Sequence, residues 1–553
     1  MNAAIYAYFH NHLTGGKHMS EIRNWNGKQV LFVNDRPFYA VAGEVHNSDS
    51  SSAEYMEKIW RIADDLGMNT LLLPVSWELC EPEEGCFDLS LADRLIDQAR
   101  EHDKKVIFLW FGSWKNAEMM YAPAWVKKDR KRFRRAQIVK GEEKSMRSYG
   151  TIGIPYYSLS YLCEEAMQAD GRAFGALMKH LKEIDGEQNT VIAVQVENET
   201  GLLSSAREVS DEADAAFESE VPAEFIRWMK EHTLTMKEDV REAVENGKDS
   251  GSWKEVFGNV AEEVFSAYHV SRFVEHVAAQ GRKEYDLPLF ANCWLVHAND
   301  KPGDYPSGGP VSHMHEVWRF CAPSIDVLCP DIYVKEFMDV CDDYSAHQPL
   351  MIPEAATHSY AASRLAYCIG HYHAMGYSPF GFDDIGKPFT AVQGFLFGMD
   401  VEDPALKTPQ DFEEYAWFCR TLSSLMSIIA PKYGTADLQA VCAERKSPQN
   451  SMNFGKIVLS AYFQNPIAPI PENGVMLGVK TAEDEVYLIA YHCVMFMNAG
   501  DAKNMDILEF EEGEFIDGVW KRGRRLNGDE AVMYMIDSPK LFRLKVYIYN
   551  DNE

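Results

Sequence analysis

The 553-residue chain has eleven cysteines but no Cys-x-x-Cys pair, and Cys293, Cys329, Cys368 and Cys493 stand in apolar surroundings. That argues against a disulfide framework and fits reduced, buried thiols, so a cytoplasmic setting is expected. Basic charge is also short. Against 84 Asp and Glu there are 54 Lys and Arg, a formal charge of −30. Such a surface repels phosphate backbones, and no nucleic-acid partner is expected. No apolar run approaches the length that spans a bilayer, so no membrane partner is expected. The apolar start Met1–Phe9 has no basic segment before it and no cleavage site after it, so it does not read as a signal peptide. Residues 1–27 are expected to form a disordered extension, with Met19 an alternative start. There is no P-loop, Gly-x-Gly-x-x-Gly or His-Glu-x-x-His. His371 and His373 fall two apart on an expected helix and point to different sides. Neither a metal nor a cofactor is expected. No Ser/His/Asp or Cys/His arrangement is discernible, which disfavours acyl transfer.

What the chain does have is alternation. After a hairpin around Val30–Val33, short apolar runs are expected to be strands at Phe38–Gly43, Asn69–Val75, Val106–Phe111, Val191–Val196, Leu287–Asn292, Ile325–Cys329, Leu350–Pro353 and Tyr377–Phe382. Helical periodicity separates them, as in Ser51–Leu66, where Tyr55, Ile59, Ile62 and Leu66 share a face and Gly67 stops the run. Eight strands alternating with helices predict a (β/α)8 TIM barrel over 28–431, with an insertion at about 202–259 expected to wall the site. A doubly wound open sheet is the alternative. From about Lys432 the texture changes to strand runs (Ile457–Tyr462, Glu485–Tyr491, Leu541–Ile548) with Asn-Gly turns. These predict an all-β, sandwich-like C-terminal domain over 432–553. Supporting the barrel, completing the cleft and carrying a contact in a homo-oligomer, dimer or higher, are all open to it.

Chemistry is expected at the carboxyl ends of the barrel strands. The fourth strand ends on Glu197-Asn198-Glu199 and the seventh on Pro353-Glu354. Around them, at the other strand ends, stand Glu44, His46, Trp77, Glu78, Ser113, Trp114, Lys115, Asn116, Asn292, Asp331, Tyr333 and Asp383. Aromatic rings stack on the apolar faces of pyranose rings, while amides and carboxylates take the hydroxyls. Two carboxylates on separate strands suit retaining glycoside hydrolysis, provided one stays protonated and the other ionised. Asn198 is placed to bond a sugar hydroxyl. Trp114 is expected to offer a stacking face, or else to pack beneath its loop; Lys115 and Asn116 are expected to bond hydroxyls.

Val196-Glu-Asn-Glu199 and Pro353-Glu354 resemble the paired motifs of clan A glycoside hydrolases. The run Gly67-Met-Asn-Thr70, continued by Trp77-Glu-Leu-Cys-Glu-Pro82 and Gly85-Cys-Phe-Asp88, resembles the second-strand region of glycoside hydrolase family 35. Trp520–Glu530 resembles the β-module of a bacterial branch of that family. The resemblance implies an exo-acting β-galactosidase with Glu199 as acid/base, Glu354 as nucleophile and Tyr333 donating a hydrogen bond to Glu354. Glu78 and Cys80 stand where the family has Asn and His, and Phe111–Asn116 replaces its third-strand Tyr-Ile-Cys-Ala-Glu. An exo-β-glucosidase or transglycosylase using the same carboxylates is the alternative, and a non-catalytic carbohydrate-binding barrel is a third reading.

Overall fold

The computed structural model describes residues 20–140, 143–145, 148–149, 155–397, 399, 407–447, 450–464, 470–500, 504–532 and 534–549. Its eight barrel strands are β1 (Ala40–Glu44), β2 (Thr70–Ser76), β3 (Lys105–Phe111), β4 (Val191–Val196), β5 (Leu289–Trp294), β6 (Val327–Asp331), β7 (Met351–Ala355) and β8 (Gly376–Pro379). They pair in parallel in the order β6-β5-β4-β3-β2-β1-β8-β7. The sheet closes where Ile332, just past β6, donates its N–H to the Glu354 carbonyl at 2.9 Å. This is the (β/α)8 barrel and not the open sheet, which would leave β6 and β7 as free edges.

Side chains alternate along a strand. In β3, Ile107, Leu109 and Phe111 belong to the inner core, while Val106, Phe108 and Trp110 pack with the helices. Both faces are covered, which is why these strands read as unbroken apolar runs. The outer helices are α1 (Ala53–Leu66), α2 (Ser90–Glu101), α3 (Glu164–Asp185), α4 (Ala261–Glu284), α5 (His315–Cys321), α6 (Phe337–Ser345), α7 (Ala361–Tyr367) and α8 (Phe412–Ser424). Ser52 caps α1 by accepting the Tyr55 N–H at 3.2 Å, and Gly67, at φ 77°, ends it. Among the described residues no helix is long and apolar enough to cross a membrane.

Two expectations need correction. Residues 1–19 lie outside the described residues, but Glu21–Trp25, expected to belong to a disordered extension, is a strand paired with Lys28–Val33. The turn is Asn26-Gly27, at φ 51° and 83°, a pair suited to a two-residue hairpin. Leu31 and Val33 from this hairpin complete the inner core of the barrel. The insertion at 202–259 also behaves differently. Its four helices pack on the outer flank, where Phe225 meets Tyr268 of α4 at 5.0 Å and Phe320 of α5 at 5.2 Å. Its opening residues meet the loop after β5 through the Leu202–Ser307 bridge.

The C-terminal strands form two antiparallel sheets of six and four strands. In the larger sheet Met476, Val486 and Leu488 face the smaller one, whereas Val475, Leu477, Ile489 and Tyr491 join the core of the barrel helices. The same period-2 alternation thus gives the module its own core and fastens it to α7 and α8. A Cβ on Gly370, just past α7, would lie 2.7 Å from Ala440 Cβ, a measure of how closely the two parts meet.

Candidate active site

Glu197, Asn198 and Glu199 follow β4 directly, and the chain bends there. Glu197 and Glu199 take φ of 61° and 44°, a region sparsely used by residues other than glycine. Backbone bonds hold the bend. The Glu199 N–H donates to Asn292 Oδ1 at 3.1 Å, the Ala117 N–H donates to the Glu199 carbonyl at 3.0 Å, and the Asn198 N–H donates to the Trp114 carbonyl at 3.2 Å.

Glu354, in β7, is 4 % exposed and Glu199 is 8 % exposed. Glu354 accepts hydrogen bonds from the Tyr333 hydroxyl at 2.6 Å and from Asn198 Nδ2 at 3.4 Å. Asn198 Oδ1 accepts from Lys115 Nζ at 2.9 Å, so β3, β4 and β7 are tied together at their ends. Asn292 Nδ2 donates to Asp331 at 2.7 Å.

The electrostatics separate the carboxyls. Burial pushes Glu199 up to about 7, the Glu354 charge adds to this, and Lys115 and a hydrogen bond with Asp331 oppose it. Burial and the neighbouring anions likewise hold Glu44 and Asp331 well above the usual carboxylate range. Burial alone would lower Lys115, but Glu354, Glu199, Glu44 and Asp331 outweigh it and the ammonium is raised. One fixed cation therefore stands among several carboxyls that compete to be neutral.

The structure brings Glu199, Glu354, Asn198, Tyr333, Lys115 and Asn292 together. Glu44 is fully buried with both carboxyl oxygens unpartnered, and the charges of Glu354, Lys115 and Glu199 act on it, so it stands with this cluster. Other residues named from the sequence fall elsewhere. Trp114, expected as a stacking face, is 1 % exposed with its ring edge against Phe273 of α4, 4.7 Å away. Trp77 is likewise buried, donating to Glu81 at 2.8 Å. Glu78 sits on the rim in a 3.2 Å pair with Lys127, and the Asn116 side chain is exposed at a left-handed turn. His46 and Asp383 stand at the mouth with Asp384, where His46 Nε2 lies 3.0 Å from Asp384 Oδ2. Among the described residues their ligand atoms are the ones close enough to hold a metal ion, although Asp384 already pairs with Lys387 at 2.7 Å.

Three residues escaped the sequence reading. Glu197 was visible in the motif but hidden behind its neighbours. Asp170 is an acid on the buried stripe of α3 that contains Ala166, Ala173 and Phe174. Phe397 stacks on Tyr333 with ring centres 4.9 Å apart, and no spacing pattern marks it.

A sequence model of glycoside hydrolase family 42, described as beta-galactosidase, matches residues 46–242. On that match, which covers less than half of the chain, residues 46–242 are similar to a clan A glycoside hydrolase. The matched segment holds Glu199, with Glu354 outside it, and the family it names is 42, not the family 35 read from the second-strand motif. Residues 417–535 match a domain of unknown function (DUF5597). No curated protein matches the chain. Among solved structures it is similar to the beta-galactosidase from the psychrophilic Marinomonas ef1, at 13% identity and a TM-score of 0.44, over 70% of this chain and 60% of that one. It is also similar to the cold-adapted beta-galactosidase from Rahnella sp. R3 (14%, TM-score 0.42, 72% and 57%). A third is the exo-beta-1,4-mannosidase Op5Man5 from Opitutaceae bacterium strain TAV5 (13%, TM-score 0.38, 75% and 63%). The chain thus spans about three fifths of the length of these proteins.

Proposed function

We propose that this protein is an exo-acting, retaining glycoside hydrolase that releases terminal β-linked galactose from oligosaccharides. Glu354 is the nucleophile and Glu199 the acid/base. The observation that carries the reading is the contrast between them. Glu354 receives hydrogen bonds from Tyr333 and Asn198, an arrangement that presents an anion for attack. Glu199, in contrast, has its carboxyl pushed up to about 7 and keeps a proton near neutral pH.

In the first step a Glu354 oxygen bonds to the anomeric carbon as the glycosidic C–O bond breaks, and the Glu199 proton passes to the departing oxygen. In the second, the Glu199 carboxylate takes a proton from water, whose oxygen displaces Glu354 and frees the sugar. Asn198, fixed by Lys115, is placed to hydrogen-bond a sugar hydroxyl next to the reacting carbon. The galactose assignment draws on the description of family 42. The same reading has the enzyme act in the cytoplasm on imported oligosaccharides.

The two carboxyl groups are expected about 5–5.5 Å apart, the spacing of retaining enzymes. A 2-fluoro-β-galactoside inactivator followed by peptide mapping should label Glu354. Label on another residue, or an inverted anomer seen by NMR, would sink the assignment.

A further inference from the structure

Beneath the catalytic pair lies a second pair of carboxyls, Glu197 and Asp170, that the reaction above does not use. Both are completely buried. Asp170, on α3, already accepts three hydrogen bonds from the end of β3. Trp110 Nε1 donates to it at 2.8 Å, the Ser113 N–H at 2.8 Å and the Ser113 hydroxyl at 2.6 Å. Glu197, at the end of β4, accepts the next N–H of the same loop, that of Trp114, through Oε2 at 2.8 Å. The other oxygen of Glu197 is without a partner if both groups are ionised. The two side chains are nevertheless hydrogen-bonded to each other, which between two acceptors requires a proton. With three donors already aimed at Asp170, that proton belongs on Glu197. Gly112 gives an independent measure of the fit, since a Cβ there would come within 2.7 Å of both Asp170 carboxyl oxygens.

We propose that Glu197 is a neutral positioning residue, hydrogen-bonded through its own proton to Asp170, that locks the β3 loop so that Lys115 reaches Asn198 beside the nucleophile. The line of contact is continuous. Glu197 and Asp170 fix the Ser113 and Trp114 backbone, Trp114 in turn accepts the Asn198 N–H, and the next residue, Lys115, bonds the Asn198 side chain that touches Glu354. Burial first, and then the Asp170 charge, hold Glu197 well above the usual carboxylate range, in keeping with a proton kept at neutral pH. Glu197 touches no reacting atom and acts through the loop it pins. The inference rests on the reading of Glu354 and Asn198 as reacting and binding groups, but the state of the proton can be tested without it.

Three variants decide the matter. Glu197→Gln is neutral, donates to Asp170 and still accepts from Trp114, so it should act as the conservative rescue and lower kcat by less than about tenfold. Glu197→Ala frees the loop, and kcat should fall by roughly a hundredfold or more, the scale of a misplacement of about 1 Å, with KM moving less. Asp170→Asn turns an amide towards the three donors and should fall as far as Glu197→Ala. If the loop acts through Lys115, the double variant Glu197→Ala/Lys115→Ala should be no slower than the worse single variant. Independently of activity, the infrared spectrum at neutral pH, to which Glu44, Asp331 and Glu199 also contribute, should contain one protonated-carboxyl C=O band that disappears in Glu197→Gln. Loss of that band with failure of the inactivator to label Glu354 would overturn the proposed function and leave the proton in place. Persistence of the band, Glu197→Gln as slow as Glu197→Ala, or multiplied losses in the double variant would each overturn the inference.

Discussion

The molecule buries charge in two places and treats it in opposite ways. Where the C-terminal sheets meet the barrel, Arg364 of α7 is matched by Glu444, with Nη2 at 2.7 Å from one carboxyl oxygen and Nε at 3.1 Å from the other. His358 lies 3.0 Å from Nη1, and the guanidinium covers the Phe337 ring at 4.2 Å. One cation meets one anion, and the geometry is determined. At the catalytic face Glu44, Glu199, Asp331 and Glu354 stand around Lys115, and oxygens of Glu44 and Asp331 have no partner. A balanced pair fixes a joint between two parts of the chain, whereas a crowd of carboxyls forces some of them to hold protons. The first arrangement serves structure, and the second keeps an acid ready near neutral pH at a cost in stability.

The sharpest way to break that comparison is to remove one member of each cluster. Glu354→Gln should lower kcat by roughly 10⁴-fold or more, as expected when a nucleophile is lost. Its thermal midpoint by calorimetry should equal or exceed that of the wild type, because one repelling charge has gone. Glu444→Gln should do the reverse. It leaves the Arg364 guanidinium buried without its anion, at a cost of about 3–5 kcal/mol. The midpoint should drop, while kcat measured well below it stays within about twofold of the wild type. A stable but inactive Glu444→Gln, or an unstable Glu354→Gln, would erase the distinction.

The second prediction concerns pH, where the crowded cluster should respond near neutrality. With Glu199 pushed up to about 7, kcat/KM for a substrate with a poor leaving group should decline as pH rises through that value. Stability should move in the same direction. The folded-state carboxyl is raised above its unfolded value, so between about 4.3 and 7 the folded protein holds the extra proton. The contribution of Glu199 is complete below that window and is lost as pH rises through it. Glu199→Gln should remove that part of the slope and the decline in rate together. Glu199→Ala should be slowed most on poor leaving groups, and external azide, which needs no general base, should restore turnover as a glycosyl azide.

How far the sequence disclosed all this depended on what each residue packs against. Strands covered on both faces must be apolar throughout, so β1 to β8 could be read, and the acids at the ends of β4 and β7 could be read with them. Direction beyond a strand end is another matter. Trp77 and Trp114 lie where the two-residue period has stopped, and their rings turned into the wall because the loops are held from below, in the case of Trp114 by Asp170 and Glu197. Asn26-Gly27 is a hairpin signal of the ordinary kind, but its partner strand Glu21–Trp25 is polar on its exposed side and passed for an extension. The acidic texture of 202–259 hid Phe225 and Trp253, which anchor that segment to Tyr268 of α4.

The smallest expected effect concerns the sugar. Galactose and glucose differ in the direction of a single hydroxyl, and a buried site that bonds that group rejects the wrong epimer because its own polar atoms are left unpaired. The catalytic cluster is rich in such atoms. Lys115 and Asn198 are fixed by one another, and Glu199 retains a little exposure to whatever enters. Trp114 does not face the pocket, so discrimination has to come from hydrogen bonds to the glycone and not from stacking on β3. The expected result is a kcat/KM for an aryl β-galactoside at least about tenfold above that for the β-glucoside, equivalent to about 1.4 kcal/mol. Lys115→Ala should narrow the ratio, since Asn198 would lose the partner that orients it. Equal rates, or a preference for the glucoside, would move the reading to a β-glucosidase while Glu199 and Glu354 kept their roles, because the double displacement does not depend on which way that hydroxyl points.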